Sequence, residues 1–280
     1  MREIQTEKIT ETVRELCIRA NYFLPEDVFR ALQKAEASEE KAVAKDILGD
    51  LIQNADIAKE KEIPICQDTG MAVFFVRVGQ EVHITGGGLS DAINEGVRQG
   101  YREGYLRKSV LGDPLERINT NDNTPAVIHY DIVPGDRLEI TFAPKGFGSE
   151  NMSALKMLKP SDGIEGVKRF VLDTVRSAGA NPCPPMVIGV GIGGTMEKCC
   201  QLAKVALTRN LEEKNPNPFY EALEEELLDE INRTGIGPQG FGGGATALSV
   251  KVETFATHIA GLPCAVNINC HATRHMKTII

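Results

Sequence analysis

The apolar residues of the first sixty positions recur at helical spacing. Ile9, Val13 and Leu16 fall three or four residues apart, which is typical of a helix with one buried face. Pro25 followed by two acidic residues predicts the start of a second helix, and an apolar stripe over residues 43–52 predicts a third. We therefore expect a helical N-terminal lobe over about residues 1–60.

The rest of the chain alternates short apolar runs with helical stretches. The apolar runs, bounded by Gly and Pro, predict strands; they cover residues 72–78, 126–133, 137–142, 186–190, 247–255 and 264–268. The glycine loop of residues 85–91 leads into a helix predicted to run to about residue 108, and further helices are predicted over residues 163–178, 195–209 and 217–233. The turn Pro134-Gly135-Asp136 lies between the second and third runs and predicts a hairpin. The fold class is α+β (mixed), with mixed sheet segments flanked by helices and Gly/Cys-rich loops at one end of the sheet.

Composition narrows the classes of function. The chain has 280 residues, 42% of them hydrophobic, which is enough for a large core. Its formal net charge is −8 and it has no basic block, so we expect no nucleic acid partner. No apolar run is long enough to cross a membrane, and the first residues do not resemble a signal peptide. These features predict a cytoplasmic protein, in which seven cysteines are buried thiols or metal ligands rather than disulfides.

The cysteines fall into two groups. Cys17, Cys199 and Cys264 lie on apolar helix faces or in an apolar strand, as core residues do. A second group lies in loops rich in Pro, Gly or polar residues, each beside an apolar strand; its members are Cys66, Cys183 and Cys270. If these loops converge, three thiolates can bind a metal, and there is no C-x-x-C pair of a zinc ribbon or ferredoxin. Three is one fewer than a [4Fe–4S] cluster usually has, which leaves one iron open for catalysis.

Two alternatives compete for these residues. A zinc site from Cys264, Cys270 and His271 is possible, although it leaves Cys66 and Cys183 unexplained. The second alternative is a non-catalytic iron–sulfur scaffold or redox sensor, but such a protein needs no titratable group beside the thiol. Asp68 is such a group, because it follows Cys66 by two residues and can serve as an acid or base.

Two glycine-rich stretches invite other interpretations. Residues 189–194 match G-x-G-x-x-G between a strand and a helix, but residues 211–217 read as a loop where a dinucleotide fold needs an acid-bearing strand. A dehydrogenase is therefore disfavoured. The glycine loop before Ser90 predicts either an anion site at a helix start or a tight turn with Ser90 as N-cap.

Three motifs together resemble the iron–sulfur hydro-lyase family of class I fumarases and L-tartrate dehydratases. They are Ile65–Gly70, Pro182–Pro185 with Gly191–Gly194, and Asn269–His275. The similarity covers nearly all 280 residues and fits the α-subunit, so the chain is identified as one α-type catalytic domain over residues 1–280. The resemblance implies a [4Fe–4S] cluster with one iron not ligated by protein; its ligands are Cys66, Cys183 and Cys270.

The resemblance also implies roles for individual residues. Asp68 takes part in proton transfer and His258 supports it, although a lone His is by default a core or surface residue. Gln67, Arg107 and Gly148 line the substrate, where a guanidinium suits a carboxylate better than Lys does. The segment 145–151 around Gly148 departs from the family in its bulky Phe147. From sequence alone, Arg107 is a solvated cation near a helix end.

The expected partner follows from the same resemblance. In the family a second domain or β-subunit supplies a catalytic threonine and further arginines, whereas this chain stops at Ile280, just after the third motif. We expect a hetero-oligomer with a β-subunit that acts on a small dicarboxylate and is oxygen-sensitive. Fumarate hydratase, which interconverts fumarate and L-malate, is the leading hypothesis, and L-tartrate dehydratase is the alternative.

Overall fold

The structure, a computed structural model, describes all residues from Met1 to Ile280. The strands are β1 (Arg2–Gln5), β2 (Met71–Gly79), β3 (Val82–Thr85), β4 (Val127–Val133), β5 (Leu138–Lys145), β6 (Ala154–Leu158), β7 (Met186–Gly193), β8 (Ala247–Phe255), β9 (Leu262–Asn269) and β10 (Met276–Ile279). The helices are α1 (Thr6–Tyr22), α2 (Glu26–Ser38), α3 (Ala42–Lys61), α4 (Leu89–Glu103), α5 (Phe147–Glu150), α6 (Gly163–Ala178), α7 (Met196–Ala206) and α8 (Pro218–Asn232). The predicted α+β class is confirmed.

The chain forms two compact units, each assembled from separate segments. The first unit contains Met1–Pro25, Ala55–Phe147 and Arg274–Ile280. The second contains Glu26–Asn54 and Gly148–Thr273. The helices of the predicted N-terminal lobe are thus shared between the units. The single catalytic domain over residues 1–280 stays a prediction.

The first unit is built on a mixed four-stranded sheet in the order β10-β5-β2-β4. Its strand β2 is the apolar run MAVFFVRVG, which is bonded on both edges and therefore mostly buried. Phe74 of β2 and Phe142 of β5 are fully buried with ring centroids 5.0 Å apart. Helices α1 and α4 bury their apolar faces in the same core, which includes Ile9, Val13 and Tyr101.

The hairpin predicted around Pro134-Gly135-Asp136 is wrong. Strands β4 and β5 both exist, but β2 lies between them, parallel to β4 and antiparallel to β5. The apolar β2 needs a partner on each edge, and the turn passes over its end. A Cβ at Gly79 would lie 2.3 Å from the Gly135 oxygen, so only glycine fits there.

The second unit is built on a four-stranded sheet in the order β6-β9-β7-β8. The central strand β7 is buried at every position, because strands β9 and β8 pair with its two edges and α7 packs closely against it. A Cβ at Gly191 would lie 2.0 Å from the Cys199 carbonyl oxygen of α7. The glycines of the G-x-G-x-x-G stretch thus allow close helix–strand packing. Residues 211–217 contain no strand, which removes the acid-bearing strand that a dinucleotide fold requires.

A buried charge network fixes the loop that follows α7. Arg209 Nη1 donates to Glu224 Oε1 at 2.8 Å, and these side chains are 10% and 8% exposed. The same carboxylate oxygen accepts from Asn215 Nδ2 at 2.9 Å and from the Val252 amide at 2.7 Å. Glu224 thereby ties α8 to β8 and to the loop.

The predicted helices and strands exist, but some of their ends differ, and β5 and β7 each extend three residues beyond the predicted end. The bounds of α6 and β8 match the prediction, and Asn217 caps α8 by accepting from the Phe219 amide. Helix α4 ends at Glu103 rather than near residue 108, so Arg107 lies in a loop, and the N-cap of α4 is Gly88 rather than Ser90. Helix α7 ends at Ala206, before Arg209. Four short strands were not predicted: β1, β3, β6 and β10.

No helix has the length and apolar content needed to cross a membrane. The cytoplasmic location stays a prediction.

Candidate active site

The loop between α3 and β2 holds the first group of candidate residues. Cys66 and Asp68 are half-buried and Gln67 is exposed, whereas Thr69 is only 2% exposed. Both carboxylate oxygens of Asp68 accept backbone amides: Oδ1 from Gly70 at 3.0 Å and Oδ2 from Phe147 at 2.9 Å. The second bond brings the start of segment 145–151 to Asp68. The carboxylate is therefore oriented by two fixed donors.

Buried side chains hold the backbone oxygens that follow. The Tyr101 hydroxyl donates to the carbonyl oxygens of Thr69 and Gly70 at 2.8 and 3.0 Å. Asn123 Nδ2 also donates to the Gly70 oxygen, at 3.2 Å. Tyr101 and Asn123 are both fully buried. Sequence reasoning missed them, because Tyr101 lies on an ordinary apolar helix face and Asn123 in a polar loop.

Arg107 is fixed to the same loop through its backbone. Its amide donates to Thr69 Oγ1 at 2.9 Å, and the Thr69 hydroxyl donates to the Arg107 carbonyl oxygen at 3.3 Å. The Arg107 side chain is exposed. The first unit thus brings together Asp68 and Arg107 on one loop framework, with the guanidinium of Arg107 in solvent.

The other two loop cysteines lie together in the second unit. The His271 amide donates to the Cys183 carbonyl oxygen at 3.2 Å, and this bond joins the turn of Cys183 to the residue after Cys270. Gln239 supports the junction: its Nε2 donates to the Pro184 oxygen at 2.8 Å and lies 3.2 Å from His271 Nδ1. The Cys183 thiol is exposed and the Cys270 thiol is half-buried.

Cys183 has an unusual backbone conformation. Its φ of 53° lies in the left-handed region that non-glycine residues rarely adopt. Its amide donates to the Ala180 oxygen at 3.0 Å, which holds the tight turn. Such conformations concentrate at functional sites, where the surrounding structure imposes them. This observation supports a function for the exposed thiol.

Gly148 and His258 also lie in the second unit. Gly148 is exposed within α5. A Cβ at this position would lie 3.8 Å from the carbonyl oxygen of Asn181, in the turn before Cys183. His258 is exposed in the loop after β8, three residues beyond Phe255. Its Nδ1 accepts the Ala260 amide at 3.2 Å, so the neutral ring carries its proton on Nε2.

The core cysteines are as predicted. Cys17, Cys199 and Cys264 are fully buried. Burial raises the pKa of Cys17 far above its usual value, and it raises the pKa of Cys199 to about 11 and of Cys264 to about 12. These thiols stay protonated at neutral pH and are unsuited to bind a metal. The remaining thiol, Cys200, is exposed on α7.

The zinc site from Cys264, Cys270 and His271 does not fit the structure. Cys264 is near the start of β9, and Cys270 follows its last residue. Six residue steps along the extended chain place the two Cα atoms about 20 Å apart, whereas two sulfurs on one zinc lie about 4 Å apart. A single ion cannot bind both.

Comparison with known proteins places the chain in a family. The model of the fumarate hydratase (Fumerase) family matches residues 10–279. A provisionally named L(+)-tartrate dehydratase subunit alpha from Methanocaldococcus jannaschii is 44% identical over 273 residues, which cover 95% of each chain. The L(+)-tartrate dehydratase subunit alpha of Escherichia coli O157:H7 is 33% identical over 277 residues, 98% of this chain and 91% of that protein. The chain therefore belongs to this iron–sulfur hydro-lyase family, as a chain of the α-subunit type, and it is a hydro-lyase.

Proposed function

We propose that the chain is the α-subunit of a [4Fe–4S]-dependent L(+)-tartrate dehydratase. The observation that carries this substrate is the similarity to chains named L(+)-tartrate dehydratase subunit alpha over almost their whole length. The sequence alone favoured fumarate, with tartrate as the alternative. The names of the relatives favour the alternative. Removal of water from L(+)-tartrate gives an enol that becomes oxaloacetate.

The donor set fits an iron–sulfur cluster. The loop thiols Cys66, Cys183 and Cys270 are at least partly exposed, whereas the three core thiols are buried with raised pKa values. Thiolates are the usual protein ligands of such clusters, and three of them leave one iron without a protein ligand. When bound, the cluster would supply a Lewis acid for the C–O bond that is broken. We propose that these three thiols hold it.

The chain's own residues would orient the substrate and move a proton. We assign the proton transfer to the Asp68 carboxylate, because two backbone donors fix its direction. The exposed guanidinium of Arg107 would bind a substrate carboxylate, since its backbone is locked to the Asp68 loop. The exposed Gln67 amide and the backbone at Gly148 would contact the rest of the substrate, and His258 would support Asp68.

A β-subunit would complete the enzyme. The relatives are named alpha subunits, which supports a two-subunit assembly. Fumarate hydratase is the second candidate, because the matching family model is described as fumarate hydratase. The two reactions differ by one substrate hydroxyl, so the same Arg107 and Asp68 would serve both.

The test is a substrate panel on the two-subunit complex. The chain is co-expressed with its β-subunit, purified and reconstituted without oxygen, and given L(+)-tartrate, D(−)-tartrate, L-malate and fumarate. We expect kcat/KM to be highest for L(+)-tartrate, with loss of activity in air. A higher value for malate and fumarate would favour the second candidate, and no turnover of any of the four would overturn both.

A further inference from the structure

Two buried polar residues, Asn21 and Arg274, bracket the segment Cys66–Asp68. At its start the Ile65 amide donates to the Asn21 carbonyl oxygen at 2.9 Å. At its end Arg274 Nη2 donates to the Asp68 carbonyl oxygen at 2.7 Å. The two brackets are joined, because Arg274 Nε donates to Asn21 Oδ1 at 3.2 Å. The first unit therefore holds this segment from both ends with one connected pair.

Burial makes this pair rigid. Asn21 is fully buried and Arg274 is only 4% exposed. Asn21 is itself anchored, since its Nδ2 donates to the Cys17 carbonyl oxygen one turn earlier in α1. Leaving a buried charged donor without its acceptor strongly destabilises the folded state, so these hydrogen bonds persist once formed. The planar guanidinium reaches both acceptors at once, which the single ammonium of Lys cannot do in the same geometry.

Both hydrogen bonds that hold the segment use its backbone rather than a reacting side chain. Arg274 bonds the Asp68 carbonyl oxygen, while the Asp68 carboxylate points to the amides of Gly70 and Phe147. The pair thus fixes the position of the Asp68 backbone and, through it, the position of the carboxylate. Arg274 follows Cys270 by four residues, so it belongs to the motif of another loop cysteine.

We propose that Asn21 and Arg274 are positioning residues of the hydro-lyase reaction, which fix Asp68 relative to Cys66 through the backbone of their shared segment. This inference rests on the proposed function for its catalytic part. It requires that breaking the pair lower kcat and leave KM nearly unchanged. A misplaced reacting group slows the chemical step rather than substrate binding.

The catalytic test uses the cofactor-loaded two-subunit complex. In Arg274→Lys we expect kcat with L(+)-tartrate to fall about 10- to 100-fold, with KM and iron content nearly unchanged. In Arg274→Ala we expect added guanidinium ion to restore part of kcat. The matched control is Arg209→Lys, a buried arginine of the second unit bound to Glu224, which should lower thermal stability and leave kcat intact. Equal kcat losses in both Lys variants, or loss of iron in Arg274→Lys, would overturn the positioning role.

A second measurement is independent of activity. Hydrogen exchange of the full complex should show the Ile65 and Gly70 amides exchanging about tenfold faster in Arg274→Lys, because a hydrogen bond that closes the loop is weakened. Arg209→Lys should leave these amides unchanged. Faster exchange in an enzyme that turns over none of the four substrates would refute the proposed function and keep the bracket. Unchanged exchange with unchanged kcat would refute the bracket and keep the function.

Discussion

Replacing Tyr101 with Phe removes one hydroxyl from a fully buried ring of α4. That hydroxyl is the donor for the Thr69 carbonyl oxygen, at 2.8 Å, and one of two donors for the Gly70 oxygen, at 3.0 Å. Each such bond contributes about 1 kcal/mol, and a buried carbonyl left without a donor costs about 1–3 kcal/mol. Because Asn123 still serves Gly70, we expect the free energy of unfolding to fall by roughly 2 kcal/mol.

The shared acceptor makes a sharper prediction for the double variant. Tyr101→Phe and Asn123→Ala each leave the Gly70 oxygen one donor, but together they leave it none. The loss in the double variant should therefore exceed the sum of the single losses by about 1 kcal/mol. The control is Tyr130→Phe, whose partly exposed hydroxyl lies 2.8 Å from Ser90 Oγ; we expect a change within about 0.5 kcal/mol.

The assay is urea unfolding followed by circular dichroism, because the chain contains no Trp to report by fluorescence. Slopes and midpoints are fitted for the four variants at neutral pH. Additive losses in the double variant would show that the two donors do not share the Gly70 oxygen. A loss in Tyr101→Phe no larger than that of Tyr130→Phe would refute the argument that buried side chains hold the Asp68 loop.

Three further predictions concern the second unit. Burial raises the pKa of Cys264 from 9.0 to about 12, so the stability that its neutral thiol contributes is complete below pH 9 and is lost between pH 9 and 12. Cys264→Ala should accordingly show a shallower fall in unfolding free energy above pH 9, by about 1.4 kcal/mol per pH unit; parallel slopes would contradict this. Arg209→Met removes the nearer of two cations from the buried Glu224 carboxylate and leaves Lys251 Nζ at 4.0 Å, so it should destabilise the chain by about 3 kcal/mol in urea unfolding, against less than half of that for Arg209→Lys. Gly191→Ala forces α7 away from β7 and should lower the melting temperature sharply or prevent folding, whereas Gly261→Ala, where a Cβ meets no atom within 3.8 Å, should change it little.

Local patterns predicted much of this fold because they act over a few residues. The stripes of α6 and α8 and the alternation of β8 each depend on burial of one face, and a single sequence records that burial. The hairpin failed for the opposite reason. β4 could pair with β5, its neighbour in sequence, or with β2. It pairs with β2, because the apolar β2 needs a partner on each edge, and this choice involves segments far apart in sequence.

The candidate site shows the same division. Asp68 became a candidate because a carboxylate beside a loop thiol is visible in the sequence. Apolar periodicity separated the loop thiols from the core thiols. Tyr101, Asn123 and Arg274 were not assigned roles, because their functions depend on backbone oxygens about 30 or more residues away, or on the opposite end of the chain. No local pattern distinguishes a tyrosine that packs from one that also donates to a distant carbonyl.

The central proposal is that the three loop thiols of Cys66, Cys183 and Cys270 hold one iron–sulfur cofactor. Its most direct test is the iron and sulfide content of the anaerobically reconstituted protein, measured with the visible absorbance of the cluster. Wild type and Cys200→Ser should each take up about four iron and four sulfide per chain, and Cys66→Ser, Cys183→Ser and Cys270→Ser should each lose most of both. Full uptake by those three variants, or an equal loss in Cys200→Ser, would contradict the account.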